Sequence, residues 1–299
     1  MTEPGVVCLG DVMVDVVAHL RGPIEPGSDR PAKIELRGGG SAANTAAWLA
    51  FAGIRTALIA RVGDDPLGIW SRALLGAGVH APLSTDLSLP TGTCIVLVGP
   101  DGERTMVPDP GANASLCPSD VDAALLTAPG HLHVSGYALF GEAAQAALHA
   151  MALARSSQMT VSVGAASAAP LRALGAAKFF ELVGDDVLLV ANQDEARVLT
   201  NRDDPAQAVR ALSARVGRAI VTCGVHSALW SSAGQAPLQS PAEPVVVRDT
   251  TGAGDAFIAG VLGALLAGGD PRVALATGHK LGAQACLVTG GRPPTADHP

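Results

Sequence analysis

Short runs of consecutive apolar residues, each closed by a glycine or a polar residue, recur along this chain. Val6 to Gly10 is the first, and an unbroken apolar run of that length is the mark of a strand with both faces covered. His131 to Ser135, Thr160 to Val163, Val187 to Ala191 and Ala219 to Cys223 repeat it. Alanine-rich stretches of helical character, such as Glu142 to Arg155 and Pro205 to Arg215, lie between them. Alternation of this kind predicts a doubly wound α/β fold, a mostly parallel sheet with helices on both faces.

A second pattern interrupts the first. Lys33 to Leu36 alternates polar and apolar as a half-exposed strand should, and Thr93 to Val98 and Arg104 to Val107 flank Gly99-Pro100-Asp101-Gly102, a hairpin-type turn. With residues 14 to 20, these strands predict a small antiparallel β lid. Insertions at roughly 14–37 and 91–108 would build it, standing off one domain that spans 1–299. An exposed sheet offers a face or an edge for pairing, so a homodimer is expected. Ligands of doubly wound sheets bind beyond the carboxyl ends of the strands, where Asp15, Asn192 and Gly224 fall.

Composition narrows the partners. The 299 residues suffice for one large α/β domain, and Ala, Gly, Val and Leu fill the interior in place of scarce aromatics. A net charge of −7 without a Lys/Arg cluster argues against a nucleic-acid or anionic-membrane surface. The five cysteines (Cys8, Cys94, Cys117, Cys223, Cys286) are scattered, with no C-x-x-C pair, which fits a reducing compartment and supplies no zinc framework. No stretch is free enough of Gly, Pro and charge to span a bilayer, and the first residues lack a signal-peptide pattern. A soluble, cytoplasmic protein is expected.

The most informative chemistry is Asp249-Thr250-Thr251-Gly252-Ala253-Gly254-Asp255, followed by the apolar run Ala256 to Leu262. A glycine-rich turn that opens a buried helix presents unpaired N–H groups at the positive end of the helix dipole, an anion site for phosphate. A carboxylate there adds repulsion, so Asp255 needs a reason of its own, and taking the proton from a hydroxyl that attacks the phosphate supplies one. Helix capping is the plain alternative.

Gly38-Gly39-Gly40-Ser41-Ala42-Ala43-Asn44 opens another helix. It satisfies the dinucleotide fingerprint G-x-G-x-x-A, but roughly thirty residues separate it from the first strand, whereas the fingerprint should follow directly. Two readings remain open: a substrate loop whose Asn44 amide meets hydroxyls, or a glycine-rich helix entry with Asn44 as a local cap. Asn192-Gln193-Asp194-Glu195 reads either as an acidic first turn or as a site where Glu195 meets Mg²⁺ through water. His131 and His133 share a strand face and predict a packed or hydrogen-bonded pair rather than a metal site. Arg37, Arg61 and Arg104 read equally as surface charges or as partners of an anionic substrate. A P-loop and a G-x-S-x-G elbow are both absent.

Taken in order, the glycine stretch at 38–44, Gly63-Asp64-Asp65-Pro66-Leu67-Gly68, Gly111-Ala112-Asn113, Asn192 with Glu195, Thr222-Cys223-Gly224 and Asp249 to Asp255 resemble the ribokinase-like (PfkB) carbohydrate kinases. The resemblance covers nearly the whole chain, and its C-terminal signature matches at every position. It implies ATP- and Mg²⁺-dependent phosphoryl transfer to a sugar, a sugar acid or a nucleoside; a catalytically inactive binder is the alternative. Asp255 is then the base, and the backbone of Gly252, Ala253 and Gly254 the anion hole. Asp15, Gly39, Gly40 and Asn44 would hold substrate. Asn192, Thr222, Gly224, Gly252 and Gly254 would meet the nucleotide, Glu195 would meet Mg²⁺, and Asp249 and Thr251 a monovalent cation such as K⁺. The prototype ribokinase carries Asn, Lys and Glu where this chain has Met13, Ser41 and the strand end at 133–137, so the resemblance speaks against ribose.

Overall fold

The computed structural model describes residues 5–24, 26–76, 78–99, 104–127 and 129–294. In chain order the first half contains β1 (Val6–Leu9), β2 (Met13–Leu20), β3 (Ala32–Gly39), α1 (Ser41–Phe51), β4 (Thr56–Ile59), β5 (Arg61–Gly63), α2 (Pro66–Leu74), β6 (Val79–His80), β7 (Ser84–Asp86), β8 (Thr93–Val98) and β9 (Arg104–Asp109). The second half continues with β10 (His131–Val134), α3 (Ala144–Ser156), β11 (Thr160–Gly164), α4 (Ala168–Leu174), α5 (Ala176–Val183), β12 (Val187–Asn192), α6 (Gln193–Thr200), α7 (Pro205–Val216), β13 (Gly217–Thr222), β14 (Ser227–Ser232), β15 (Leu238–Pro241), α8 (Ala253–Leu266) and α9 (Pro271–Ala285).

The main sheet runs β15-β14-β13-β12-β11-β10-β1-β4-β6. Pairing from β13 to β6 is parallel throughout; β14 alone reverses, closing a hairpin with β13 at one edge. Strand order reverses around β1, which makes the carboxyl ends of β1 and its neighbours the crevice for ligand. The apolar runs are explained by burial on both faces. Val7 and Leu9 face one apolar cluster with Ala147 and Met151 of α3, Phe179 of α5 and Leu212 of α7. Val6 and Cys8 face a second cluster with Trp48 of α1, Phe257 and Val261 of α8 and Leu275 of α9.

The lid is a separate four-stranded sheet in the order β3-β2-β8-β9. Its outer pairs are antiparallel, as expected, and a parallel β2–β8 pairing joins them at the centre. The turn residues Pro100, Asp101 and Gly102 lie outside the described residues. Asn113 ties lid to body, its Oδ1 accepting from Val12 N at 2.9 Å while its Nδ2 donates to Val12 O at 2.9 Å. Arg61 is a structural clamp rather than a free cation, bonded to Asp86 at 3.0 Å and to Asp120 at 2.9 Å.

His131 and His133 form the expected hydrogen-bonded pair beneath the crevice. His131 bonds Thr160 Oγ1 and Ser162 Oγ, both at 2.7 Å, and His133 Nδ1 bonds the same Ser162 Oγ at 2.9 Å. Burial pushes their ring pKa values down, to about 3 for His131, where His133 and Arg218 add to the effect, and to about 4 for His133. A folded-state pKa below the unfolded value means stability is complete at neutral pH and is lost as pH falls through the unfolded value near 6.5. Other groups in the fold shift the opposite way, so the effect is read by difference. Against His133→Asn, which keeps a polar group near Ser162, wild type should lose about 2 kcal/mol more stability between pH 7 and pH 5 in urea titrations; parallel pH profiles would refute a neutral buried His133.

Candidate active site

At the carboxyl end of the sheet two helices start face to face. One is α8, whose buried residues Ala256 to Leu262 are apolar or glycine, so hydrophobic packing fixes its axis. Gly252 caps it at φ 73°, a left-handed value, and a Cβ there would come within 2.3 Å of Gly291 O. The Ala253 amide turns back to Thr250 O at 3.3 Å and Ala256 N bonds Gly252 O at 2.9 Å. The N–H groups of Gly252, Gly254 and Asp255 thus have no acceptor among the described residues, and open space stands in front of Gly254. Unpaired amides facing an opening at a helix N-terminus have the geometry that an anion site needs, although the Ala253 amide, expected among the donors, is turned back into the chain.

The other helix is α1, and its start is built differently. Asp11, directly after β1, accepts from Ser41 N at 2.8 Å, from Ala42 N at 3.3 Å and from Ser135 Oγ at 2.9 Å. A carboxylate already occupies the positive end of this helix. That arrangement excludes a pyrophosphate there and removes the dinucleotide reading of the glycine stretch. It also corrects the reading of Asn44 as a local cap: the cap comes from thirty residues upstream, as the Ser41 N–Asp11 separation records. Gly40, at φ 91°, lets the chain pass Asp11, whose carbonyl oxygen would lie 2.5 Å from a Cβ.

Asn44 and Ser41 instead reach across to Asp255. Asn44 Nδ2 donates to Oδ2 at 3.0 Å and Ser41 Oγ donates to Oδ1 at 2.8 Å. Burial pushes the Asp255 pKa up to about 7, with Asp11 and Asp15 adding to the rise and the Asn44 and Ser41 hydrogen bonds opposing it. From sequence alone, the helix N-terminus would make Asp255 a weak base; burial among other carboxylates reverses that and leaves a base suited to neutral pH.

Asp15 lies within the lid strand β2, buried, its carboxylate against Gly39. Burial raises its pKa to about 6; Arg292 opposes the rise, and Asp11 and Asp249 add to it. Asp15, Gly39, Gly40 and Asn44 therefore lie in one group near Asp255. Asn192, Thr222 and Gly224 form a second group at the ends of β12 and β13, where Asn192 and Thr222 are register partners.

Glu195 is buried in a reciprocal cap with Asn192: Asn192 N and Nδ2 donate to its two carboxylate oxygens at 2.8 and 2.6 Å, and Glu195 N donates back to Asn192 Oδ1 at 2.9 Å. Burial raises its pKa to about 7 against the Asn192 amide bond, with Asp194 and Asp255 contributing. Asp249 is tied by Thr251 N at 2.7 Å and Gly290 N at 2.9 Å and pairs with Arg104 of β9 at 2.9 Å. Burial alone would raise its pKa; these partners hold it below the ordinary carboxylate range. Arg37 pairs with Glu35 on β3 at 2.6 Å.

Two residues that pattern reading overlooked belong to the site: Asp11, and Arg292 from the segment after α9. Arg292 Nη2 donates to Gly39 O at 2.8 Å, and its Nε reaches Asn44 Oδ1 at 3.4 Å. A carboxylate two residues past the first strand and an arginine between glycine and proline were the only local signals. Among the described residues no cluster of His, Cys, Asp and Glu could hold a metal ion without other ligands.

Residues 3–298 match the profile of the pfkB family carbohydrate kinases. An ATP-dependent ribose-1-phosphate kinase from Halopiger xanaduensis is 32% identical over 310 residues, covering 98% of this chain and 95% of its own. A fructokinase from Klebsiella pneumoniae is 31% identical over 292 residues, with 88% and 85% covered. In three dimensions the chain is similar to an adenosine kinase from Sinorhizobium meliloti, with a TM-score of 0.89 at 25% identity, over 99% of this chain and 97% of that one.

The Asp11 cap yields a prediction independent of turnover. Asp11→Ala strands two helix amides and the Ser135 hydroxyl, so unfolding in urea should show a loss of about 2–3 kcal/mol, with faster amide exchange at Ser41 and Ala42. A loss below about 0.5 kcal/mol would contradict the capping role.

Proposed function

Because the chain belongs to the pfkB family of carbohydrate kinases, we propose that it transfers the γ-phosphoryl group of ATP to a hydroxyl of a sugar, a sugar acid or a nucleoside, with Asp255 as general base. The observation that carries this reading is the joint position of Asp255: at the mouth of the open α8 amides, and hydrogen-bonded to Ser41 and Asn44 of the opposite loop. A base for phosphoryl transfer must touch both the anion site and the acceptor pocket, and Asp255 borders both.

In this mechanism the acceptor rests on Asp15 and Asn44 beneath the lid, with Gly39 and Gly40 allowing close approach. Its reacting hydroxyl replaces Ser41 as donor to Asp255. The amides of Gly252, Gly254 and Asp255 carry the charge that grows on the transferred group, and Ala253 shapes the turn. Asn192, Thr222 and Gly224 border the nucleotide. Glu195, close enough for the Asp255 charge to act on it, would hold a hydrated Mg²⁺ through water, and the ion would supply charge neutralisation to the phosphates. Asp249 and Thr251 remain the candidate monovalent-cation contacts. Asp255 Oδ1 or Oδ2 takes the acceptor's proton late, as a loose transition state permits, and the lid excludes water that would otherwise capture the phosphoryl group. Ser135 already serves Asp11, so it supplies few free polar contacts to a ribose-type ligand.

The test is ADP release across D-ribose, D-fructose, a 3-deoxyaldonic acid and adenosine, with Mg·ATP. Turnover of at least one is expected, rising with pH through about 7 as Asp255 ionises. Asp255→Asn should lower kcat by about 10³-fold or more while nucleotide affinity stays within a few-fold. Ligand-induced thermal stabilisation without ADP release from any acceptor would identify a binder instead.

We further propose that the lid's outer face pairs two copies of the chain. Leu36, Val16, Ile95 and Val107 align across the four strands in one row, and Leu36, Ile95 and Val107 are 48%, 47% and 54% exposed. Sedimentation should give a dimer for wild type and a monomer for Ile95→Asp; a wild-type monomer at micromolar concentration would end this reading.

A further inference from the structure

Arg292 sits where the phosphate side and the substrate side of the crevice meet. The segment that delivers it is clamped at several points. Gly290 N donates to Asp249 Oδ2 at 2.9 Å, Trp48 Nε1 of α1 donates to Gly291 O at 3.0 Å, and Gly291 packs so closely on Asn44 that a Cβ would lie 2.5 Å from Nδ2. From this anchored base the guanidinium crosses under the glycine loop. A Cβ on Gly38 would lie 2.5 Å from its Nη1, which is buried and has no acceptor. A buried donor without an acceptor is destabilising, so a guanidinium held this way calls for a compensating role.

That role follows from what an arginine can do chemically. It donates and never accepts, so its Nε turns the Oδ1 of Asn44 toward itself. The Asn44 amide nitrogen is then left to face Asp255, as observed. A neutral side chain able to accept could allow the amide to flip, leaving carbonyl oxygen against carboxylate. Nη2, meanwhile, pins the Gly39 carbonyl that backs Asp15. Resting on the kinase reading of the site, we infer that Arg292 is a positioning residue: it fixes the Asn44 amide toward Asp255 and supplies the counter-charge that keeps Asp15 ionised for the acceptor hydroxyls. Among the described residues, the other charged or titratable groups around Asp15 are Asp11, Asp249, Asp255, the strand neighbour Arg37, which is paired with Glu35, and the strand neighbour Cys94. Arg292 is the cation that acts on Asp15 against three carboxylates.

The sign of the coupling makes it measurable without a substrate. The folded pKa of Asp15 is raised, so its ionisation costs stability as pH climbs through about 6, and loss of Arg292 enlarges that cost. Thermal unfolding of wild type and Arg292→Gln, compared from pH 5 to pH 8, should give a Tm difference that widens by about 3 °C or more toward pH 8. A structural role limited to the Gly39 hydrogen bond gives a difference independent of pH, and that result overturns the counter-charge claim. On the acceptor that wild type phosphorylates best among the four above, Arg292→Gln should lower kcat by about 30-fold and raise KM, with Arg292→Lys restoring KM more than kcat. Values for Arg292→Gln within threefold of wild type would overturn the positioning claim. Absence of wild-type turnover on all four acceptors would strike the kinase reading instead, while the pH comparison still decides Arg292.

Discussion

The structure depends on gathering acidic side chains at one end of a parallel sheet and making each tolerable. Asp11, Asp15, Asp249 and Asp255 all approach the crevice at the carboxyl end of β1. Like charges in a partly dry space repel, and each of these carboxylates is managed by a different device. Asp11 spends its charge on the start of α1, Asp249 on two backbone amides and Arg104, and Asp15 on Arg292. Asp255 has only the Asn44 and Ser41 donors against burial, so it is left near neutral pKa.

This division also explains why two helix starts so alike in glycine content behave differently. Both α1 and α8 begin after a glycine with a left-handed or related φ, and both point positive ends into the crevice. The amides of α1 are filled by Asp11; those of α8 remain open because Asp249, its nearest preceding carboxylate, turns back to Gly290 and Thr251. Only the α8 start therefore offers unpaired amides to the crevice, and the α1 start is closed by its own carboxylate. The lid completes the enclosure by bringing Asp15 in on β2 and Arg104 in on β9.

Much of the architecture is legible in the residues. Continuous apolar runs specify strands covered on both faces, and Val6 and Val7 do face opposite clusters. The short antiparallel edge strands β14 and β15 are not, because Ser227 to Ser232 mixes serine with apolar residues and Leu238 to Pro241 is too short to carry a period. The anion turn is legible as well, since glycine spacing and a following apolar helix are local features. His131 and His133 are legible as a hydrogen-bonded pair, although their partners Thr160 and Ser162 come from the neighbouring strand.

From the sequence by itself come the α/β class, the lid, the open turn at Gly252 to Asp255 and the candidate acid beside it, because all of these are written in residues a few positions apart. Tertiary structure alone decided that Asp11 closes α1, that Asn44 serves Asp255 rather than its own helix, that Arg61 is locked between Asp86 and Asp120, and that Arg292 belongs to the site. Ser41 and Asn44 reach Asp255 across separations of 214 and 211 residues, and Arg292 reaches Gly39 across 253. No local pattern encodes such pairs. The proton affinity of Asp255 is of the same kind: it is set by how much water the packed helices exclude and by carboxylates brought near from distant parts of the chain.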